Sequence, residues 1–280
     1  MVENFSLEAL GQYKHQEPLA VELLSRASQN NRFSHAYIFT GKASEKVLGF
    51  VKTFSKIILC NSKTATDTCL SCKVFESGQH PDFKIWVPEG EKNKLIKLDQ
   101  VKELIAANQR HPITSKHQVL VLEQANLLRV EGSNALLKTL EEPNHFTTII
   151  LTVDSLDNLL PTILSRCQII PVYAMPVVDE TDEFNLESYF PKTYLEANEL
   201  SAANSKMDAK ELKELFLKLQ SALWKHSKNG FSTEENLNKQ VELLEKLEKY
   251  INSLDSYVNS KLVLDNLFID LYEIRDLFFN

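Results

Sequence analysis

Thr148-Ile149-Ile150-Leu151-Thr152-Val153 constrains the fold of this chain more than any other stretch. It is short, β-branched and apolar without a polar alternation, so it predicts a strand buried on both faces. The segment before it carries Ala135, Leu136, Leu137 and Leu140 at helical spacing. Pro143 ends that helix, because it lacks a backbone donor and clashes with the preceding turn. A second short helix follows, and then Ser165-Arg166-Cys167. The same alternation recurs upstream. Strands are expected at 36–40, 83–87 and 119–122, and a last one at Ile169-Ile170. Helices are expected over 16–30, over 44–59 with Ser44 as cap, and over 98–108, where Val101, Leu104 and Ile105 share a face. Apolar strands alternating with amphipathic helices predict an α/β fold with a parallel sheet covered on both sides.

Three breaks interrupt this pattern. Cys60–Gln79 is a polar, cysteine-bearing insertion, and Glu89–Lys94 is a charged turn. Near Val177–Asp182 the composition shifts: Pro176 and a run of acids predict a linker. Only helical stripes follow it. Leu212, Leu215, Phe216, Leu219 and Leu223 form one; Leu237, Val241, Leu244, Leu247, Ile251, Leu254 and Val258 form another; Leu262, Leu264, Leu267, Phe268, Leu271 and Ile274 form the last. Such stripes predict helix-on-helix packing. A net charge of −7 argues against tight DNA binding by the chain alone, which needs a basic face to neutralise phosphates. Four cysteines in 280 residues do not suggest a disulfide framework. No apolar run is long enough to span a bilayer and no signal-peptide pattern opens the chain, so a cytoplasmic protein without membrane contact is expected.

Several short words occur in a fixed order: Ser34-His35-Ala36-Tyr37-Ile38-Phe39-Thr40-Gly41, His80-Pro81-Asp82, Asn134 through Leu140-Glu141-Glu142-Pro143, Leu160-Pro161-Thr162-Ile163 and Ser165-Arg166-Cys167. Together they resemble the clamp-loader branch of the AAA+ ATPases, and within it the delta-prime-type members of the bacterial DNA polymerase III loader. The likeness is dense from about residue 10 to 172. It implies an AAA+ α/β domain over 1–167 with the insertion at 60–79, a small helical lid-like domain over 168–204, and an all-helical collar domain over 205–280. It also implies a non-hydrolysing subunit that helps load the sliding clamp onto primed DNA. Its partners would be the tau/gamma ATPase and delta subunits, with clamp and DNA reached through the complex.

The residues themselves bear on that implication. Gly41-Lys42-Ala43-Ser44-Glu45-Lys46-Val47-Leu48 stands between a strand and a helix, where a phosphate-binding loop belongs. A working loop needs a second glycine, a lysine and a hydroxyl residue, for phosphate and Mg²⁺. Here those places hold Lys46, Val47 and Leu48. The following strand runs into Glu123-Gln124 in place of an Asp-Glu pair, and glutamine cannot take a proton as a general base. No bound ATP is expected. The resemblance gives Arg166 the role of a finger reaching the γ-phosphate of a neighbouring ATPase, with Ser165 and Cys167 in support. A guanidinium is permanently charged and its planar fork suits phosphate oxygens.

In the insertion, Cys60, Cys69 and Cys72 match three of the four cysteines of the family's zinc module. In one register the fourth place falls on Thr66, in the other on Phe75. His80, Asp67 or water would have to complete a four-ligand shell, or the module folds without metal. An active ATPase of the tau/gamma type and an autonomous zinc or nucleic-acid-binding module are the alternatives. The lost lysine and hydroxyl residue oppose the first; the missing ligand and the acidic balance oppose the second.

Overall fold

The computed structural model describes residues 6–14, 16–30, 33–41, 44–62, 65, 69–90, 94–142, 144–172, 184–227, 234–254 and 259–279. Lys42, Thr66, Asp67, Pro143, the 177–182 linker and Val258 lie outside them, as do the side chains of Ser44, Leu237 and Val241. The chain divides into two compact units, Met1–Ala174 and Met175–Asn280.

The first unit is built on five strands: β1 Ala36–Thr40, β2 Phe83–Trp86, β3 Gln118–Leu122, β4 Thr147–Val153 and β5 Gln168–Pro171. All pairings are parallel, in the order β2-β3-β4-β1-β5. This is the α/β architecture expected from the sequence. Because β5 pairs with β1, the unit runs past Cys167, and residues 168–171 belong to the sheet. Every residue of β1, β3 and β4 is buried. That explains why those strands carry no polar alternation.

Successive side chains of a strand point to opposite faces. On β1, Tyr37 and Phe39 meet Phe50 and Phe54 of α2 (Ser44–Leu59), with ring centroids 5.3–5.8 Å apart. Ala36 and Ile38 face the other way. They join Leu120, Leu122, Ile149 and Leu151 in a core closed by α4 (Leu98–Asn108), α5 (Val130–Glu141) and α6 (Pro161–Leu164). α1 (Pro18–Gln29) and the short α3 (Leu70–Glu76) complete the helices of this unit. Pro18 is at the first position of α1, which starts two residues later than expected: proline lacks the N–H that a first turn leaves unpaired anyway.

The second unit is helical: α7 Tyr194–Asn204, α8 Ala209–Ser227, α9 Glu234–Ser253, α10 Ser260–Glu273 and α11 Arg275–Phe279. The expected stripes form its core, with Leu212, Phe216, Leu219, Leu223, Leu244, Leu247, Leu264, Leu267, Phe268 and Leu271 all buried. Among the described stripe residues, Ile274 is half-buried and Leu262 is 55 % exposed. Leu262 lies two residues before Leu264, about 200° round the helix and so away from the stripe. Polar ties support this packing. Asp270 accepts from Lys246 Nζ at 2.8 Å and from the Tyr250 hydroxyl, and Ser201 donates to Asp265. Among the described residues, no helix is long and apolar enough to cross a membrane.

Candidate functional site

Open parallel sheets take ligands outside the carboxyl ends of their strands. At that edge β1 ends beside Val153 and Pro171, and Gly41 follows, its N–H donating to the Val153 carbonyl at 2.9 Å. A Cβ on Gly41 would lie 2.3 Å from the Val172 carbonyl oxygen and 2.9 Å from Val47 Cγ2. The glycine is therefore required by close packing of the backbone. α2 begins at Ser44, so only residues 42 and 43 separate it from Gly41. Val47, at the place of the phosphate-binding lysine, is 1 % exposed; Lys46 faces solvent and Leu48 is half-buried.

The acidic place after β3 is also altered. The Glu123 N–H donates to the Trp86 carbonyl at 2.9 Å. Gln124 takes a left-handed backbone, φ 53°, which non-glycine residues seldom adopt. Its N–H donates to Thr152 Oγ1 on β4 at 3.0 Å. Glu17, just before α1, is 4 % exposed, and its Oε2 has no hydrogen-bond partner among the described residues. Desolvation pushes its pKa up to about 7, with the Lys46 charge pulling the other way. Nothing in the sequence pattern marked Glu17, since a glutamate before a proline reads as an ordinary helix start.

Arg166 stands where α6 ends. α6 is a single turn opened by Pro161 and packed against α5, and its last carbonyls need partners. Arg166 supplies one: Nη1 donates to the Thr162 carbonyl at 2.8 Å and to the Ser165 hydroxyl at 3.2 Å. Ser165 in turn donates to the same Thr162 carbonyl at 3.1 Å. Arg166 Nη2 reaches Glu141 Oε1, the last residue of α5, at 2.6 Å. The Arg166 side chain is about one-third exposed, that of Glu141 about half. Cys167 packs against the core, and burial pushes its thiol up to about 12. Its thiol is therefore held in the neutral form.

The insertion brings its three cysteines together. The sulfurs of Cys60, Cys69 and Cys72 all lie within 4.8 Å of one another, and Cys60 and Cys69 are 3.9 Å apart. A tetrahedral zinc with bonds of about 2.3 Å would hold sulfurs about 3.8 Å apart, so the spacing fits. Cys69 caps α3, its sulfur accepting the Cys72 N–H at 3.4 Å. Burial disfavours the nearby Lys56 ammonium, but Glu76 outweighs it, with Cys72 and Cys60 adding, so its pKa stays raised.

No fourth histidine, cysteine or carboxylate joins the three sulfurs among the described residues. His80 is engaged elsewhere. Its Nδ1 accepts the Asp82 N–H at 3.1 Å, while its Nε2 faces the Ser71 and Ser115 hydroxyls at 2.9 and 3.2 Å. Both hydroxyls donate to the Leu59 carbonyl, at 2.7 and 2.8 Å. Nε2 must then carry the proton and Nδ1 the lone pair, which assigns the tautomer and leaves no nitrogen for a metal. Burial lowers the His80 pKa, with Asp82 opposing, so the ring is held neutral. Phe75, the other candidate place, packs its ring at a tilt against Phe83, with centroids 4.8 Å apart.

Comparison with known proteins adds a family. Residues 16–176 match the profile of the family described as "DNA polymerase III, delta subunit". The DNA polymerase III subunit delta' of Bacillus subtilis (strain 168) is 33 % identical over 157 residues, 55 % of this chain and 47 % of that protein. The corresponding protein of Pseudomonas aeruginosa is 34 % identical over 158 residues, again 55 % and 47 %. The DNA polymerase III subunit gamma/tau of Mycoplasma genitalium is 31 % identical over 147 residues, 52 % of this chain and 24 % of that protein. The chain thus spans about half the length of the first two relatives, and less of the third.

Proposed function

The chain belongs to the family described as "DNA polymerase III, delta subunit", and we propose that it serves as a non-hydrolysing subunit of the DNA polymerase III clamp loader. In this reading it helps place the sliding clamp on primed DNA in the cytoplasm, in a hetero-oligomer with tau/gamma and delta subunits. Arg166 acts on the γ-phosphate held by a neighbouring ATPase, stabilising the charge that spreads over the transferring group. The observation that carries the reading is the contrast between two places. The chain's own lysine position is occupied by an interior valine, while Arg166 presents a fixed, part-exposed guanidinium. An active ATPase of the tau/gamma type would need a lysine where Val47 packs. Cys60, Cys69 and Cys72 support a structural zinc that would tie α3 to the end of α2.

The test is a loader reconstituted with active ATPase subunits. Arg166→Ala should leave assembly intact and lower hydrolysis at the adjoining site, by about 10³-fold if it follows other fingers. Arg166→Lys should not restore it fully, because an ammonium lacks the fork. Unchanged clamp-stimulated hydrolysis and unchanged clamp loading in the assembled mutant would make Arg166 a structural arginine.

A further inference from the structure

We propose that Glu141 is a positioning residue for Arg166, holding the guanidinium aimed before a phosphate arrives. The proposal rests on the reading of Arg166 as a finger. Arginine is a long side chain with large rotamer entropy, and a finger that swings freely must lose that freedom in the transition state. Here it is already restrained at two points. One terminal nitrogen is held by the end of α6, through the Thr162 carbonyl and the Ser165 hydroxyl, and the other by the Glu141 carboxylate at 2.6 Å. The two anchors come from different elements, α6 and α5, which pack on each other. Together they fix the plane of the guanidinium as well as its position. These three hydrogen bonds leave donors over, since a guanidinium carries five N–H groups. The group is thus oriented on one side and open on the other.

Glu141 is suited to this task by its place. It is the last residue of α5, whose Leu136 and Leu140 are fixed in the core, so the carboxylate is carried on a rigid element. It is itself about half exposed, so removing it leaves no buried void. Its effect should be confined to what it holds.

The reconstituted loader tests this with three changes in this chain: Glu141→Ala, Glu141→Gln and Glu141→Ala combined with Arg166→Ala. Loss of aim without loss of the guanidinium should lower the turnover number of the adjoining site by about 10- to 100-fold and leave the KM for ATP nearly unchanged. Glu141→Gln keeps an acceptor for Nη2 and should retain most of the rate. The double mutant should be no slower than Arg166→Ala alone, since Glu141 acts only through the arginine. If Arg166→Ala slows hydrolysis but Glu141→Ala does not, the positioning role is overturned while the finger stands. A faster Glu141→Ala would make the carboxylate a restraint to be released, and would equally overturn the proposal. If Arg166→Ala has no effect, it is the finger itself that fails. Additive losses in the double mutant would mark Glu141 as acting elsewhere.

Discussion

Asp82→Ala should be the most damaging single change outside the hydrophobic core of the first unit. The Asp82 carboxylate is 4 % exposed. It accepts the backbone N–H groups of Ile113, Thr114 and Ser115 at 2.6, 2.8 and 2.7 Å. Alanine would leave three donors without their acceptor. Each such donor costs about 1–3 kcal/mol when water cannot reach it. Ile113 is 80 % exposed, so water will reach part of this turn and the lower end applies. The expected loss is therefore about 3 kcal/mol in total. At about 2–4 °C per kcal/mol for a domain of this size, the melting transition should fall by roughly 6–12 °C. Asp82→Asn keeps one carbonyl acceptor and should lose less. Thermal and urea unfolding followed by circular dichroism would read both variants against the parent. The Ser115 hydroxyl shares the Leu59 carbonyl with Ser71, so a displaced turn should also loosen α3. An Asp82→Ala protein within about 0.5 kcal/mol of the parent would refute the argument, because it would mean that water satisfies the turn as well as the carboxylate does.

Three further outcomes are expected. Protein purified without chelator should carry close to one zinc per chain by elemental analysis, and Cys69→Ser should lose it and destabilise the insertion; metal-free protein with the same folding would end the zinc reading. Millimolar Mg-ATP should leave the melting temperature unchanged, whereas a ligand at 100 times its dissociation constant would stabilise by about 2.7 kcal/mol. Glu17, its pKa raised by burial to about 7, favours folding fully only while protonated: its contribution is complete below about pH 4.5, declines as pH rises, and is gone above about 7. Glu17→Gln should abolish that decline and be more stable than the parent at pH 8, by at most about 3 kcal/mol, in urea titrations run across that range.

The sheet was legible because strands buried on both faces are dominated by apolar and β-branched residues without polar alternation, as β1, β3 and β4 are. The helical stripes were legible for the equivalent reason at a period of 3.6 residues. What escaped the sequence depends on single polar groups. The insertion reads as a polar loop, yet α3 forms within it, because the Cys69 sulfur caps the helix and Ser71 turns inward to the Leu59 carbonyl. Nothing in the text of the chain ties Glu141 to Arg166, which are 25 positions apart and meet only because α5 and α6 pack. The His80-Pro81-Asp82 word is visible, but its use is not. By type and position His80 could be a zinc ligand, but both of its ring nitrogens are committed to hydrogen bonds.

The phosphate loop shows the difference between a missing letter and a changed space. Lys46, Val47 and Leu48 stand at the three altered places, and on paper restoring three residues reverses them. The fold makes that insufficient. α2 starts at Ser44 and takes up chain that a phosphate-cradling loop would need for its backbone donors. Val47 is interior, and its Cγ2 stands against the Gly41 backbone on the side where a Cβ would also strike the Val172 carbonyl. A lysine at 47 would carry an ammonium into this packed position, and burying a charge is costly unless it is paired. Glu17 adds a carboxylate close enough to feel the Lys46 charge, and in its ionised form it would repel an incoming phosphate. Rebuilding the site would thus require unwinding the first turn of α2 and moving its packing, a change of backbone as well as of side chains. Arg166 needs neither, since its anchors at Thr162, Ser165 and Glu141 all lie on α5 and at the end of α6, away from the altered loop.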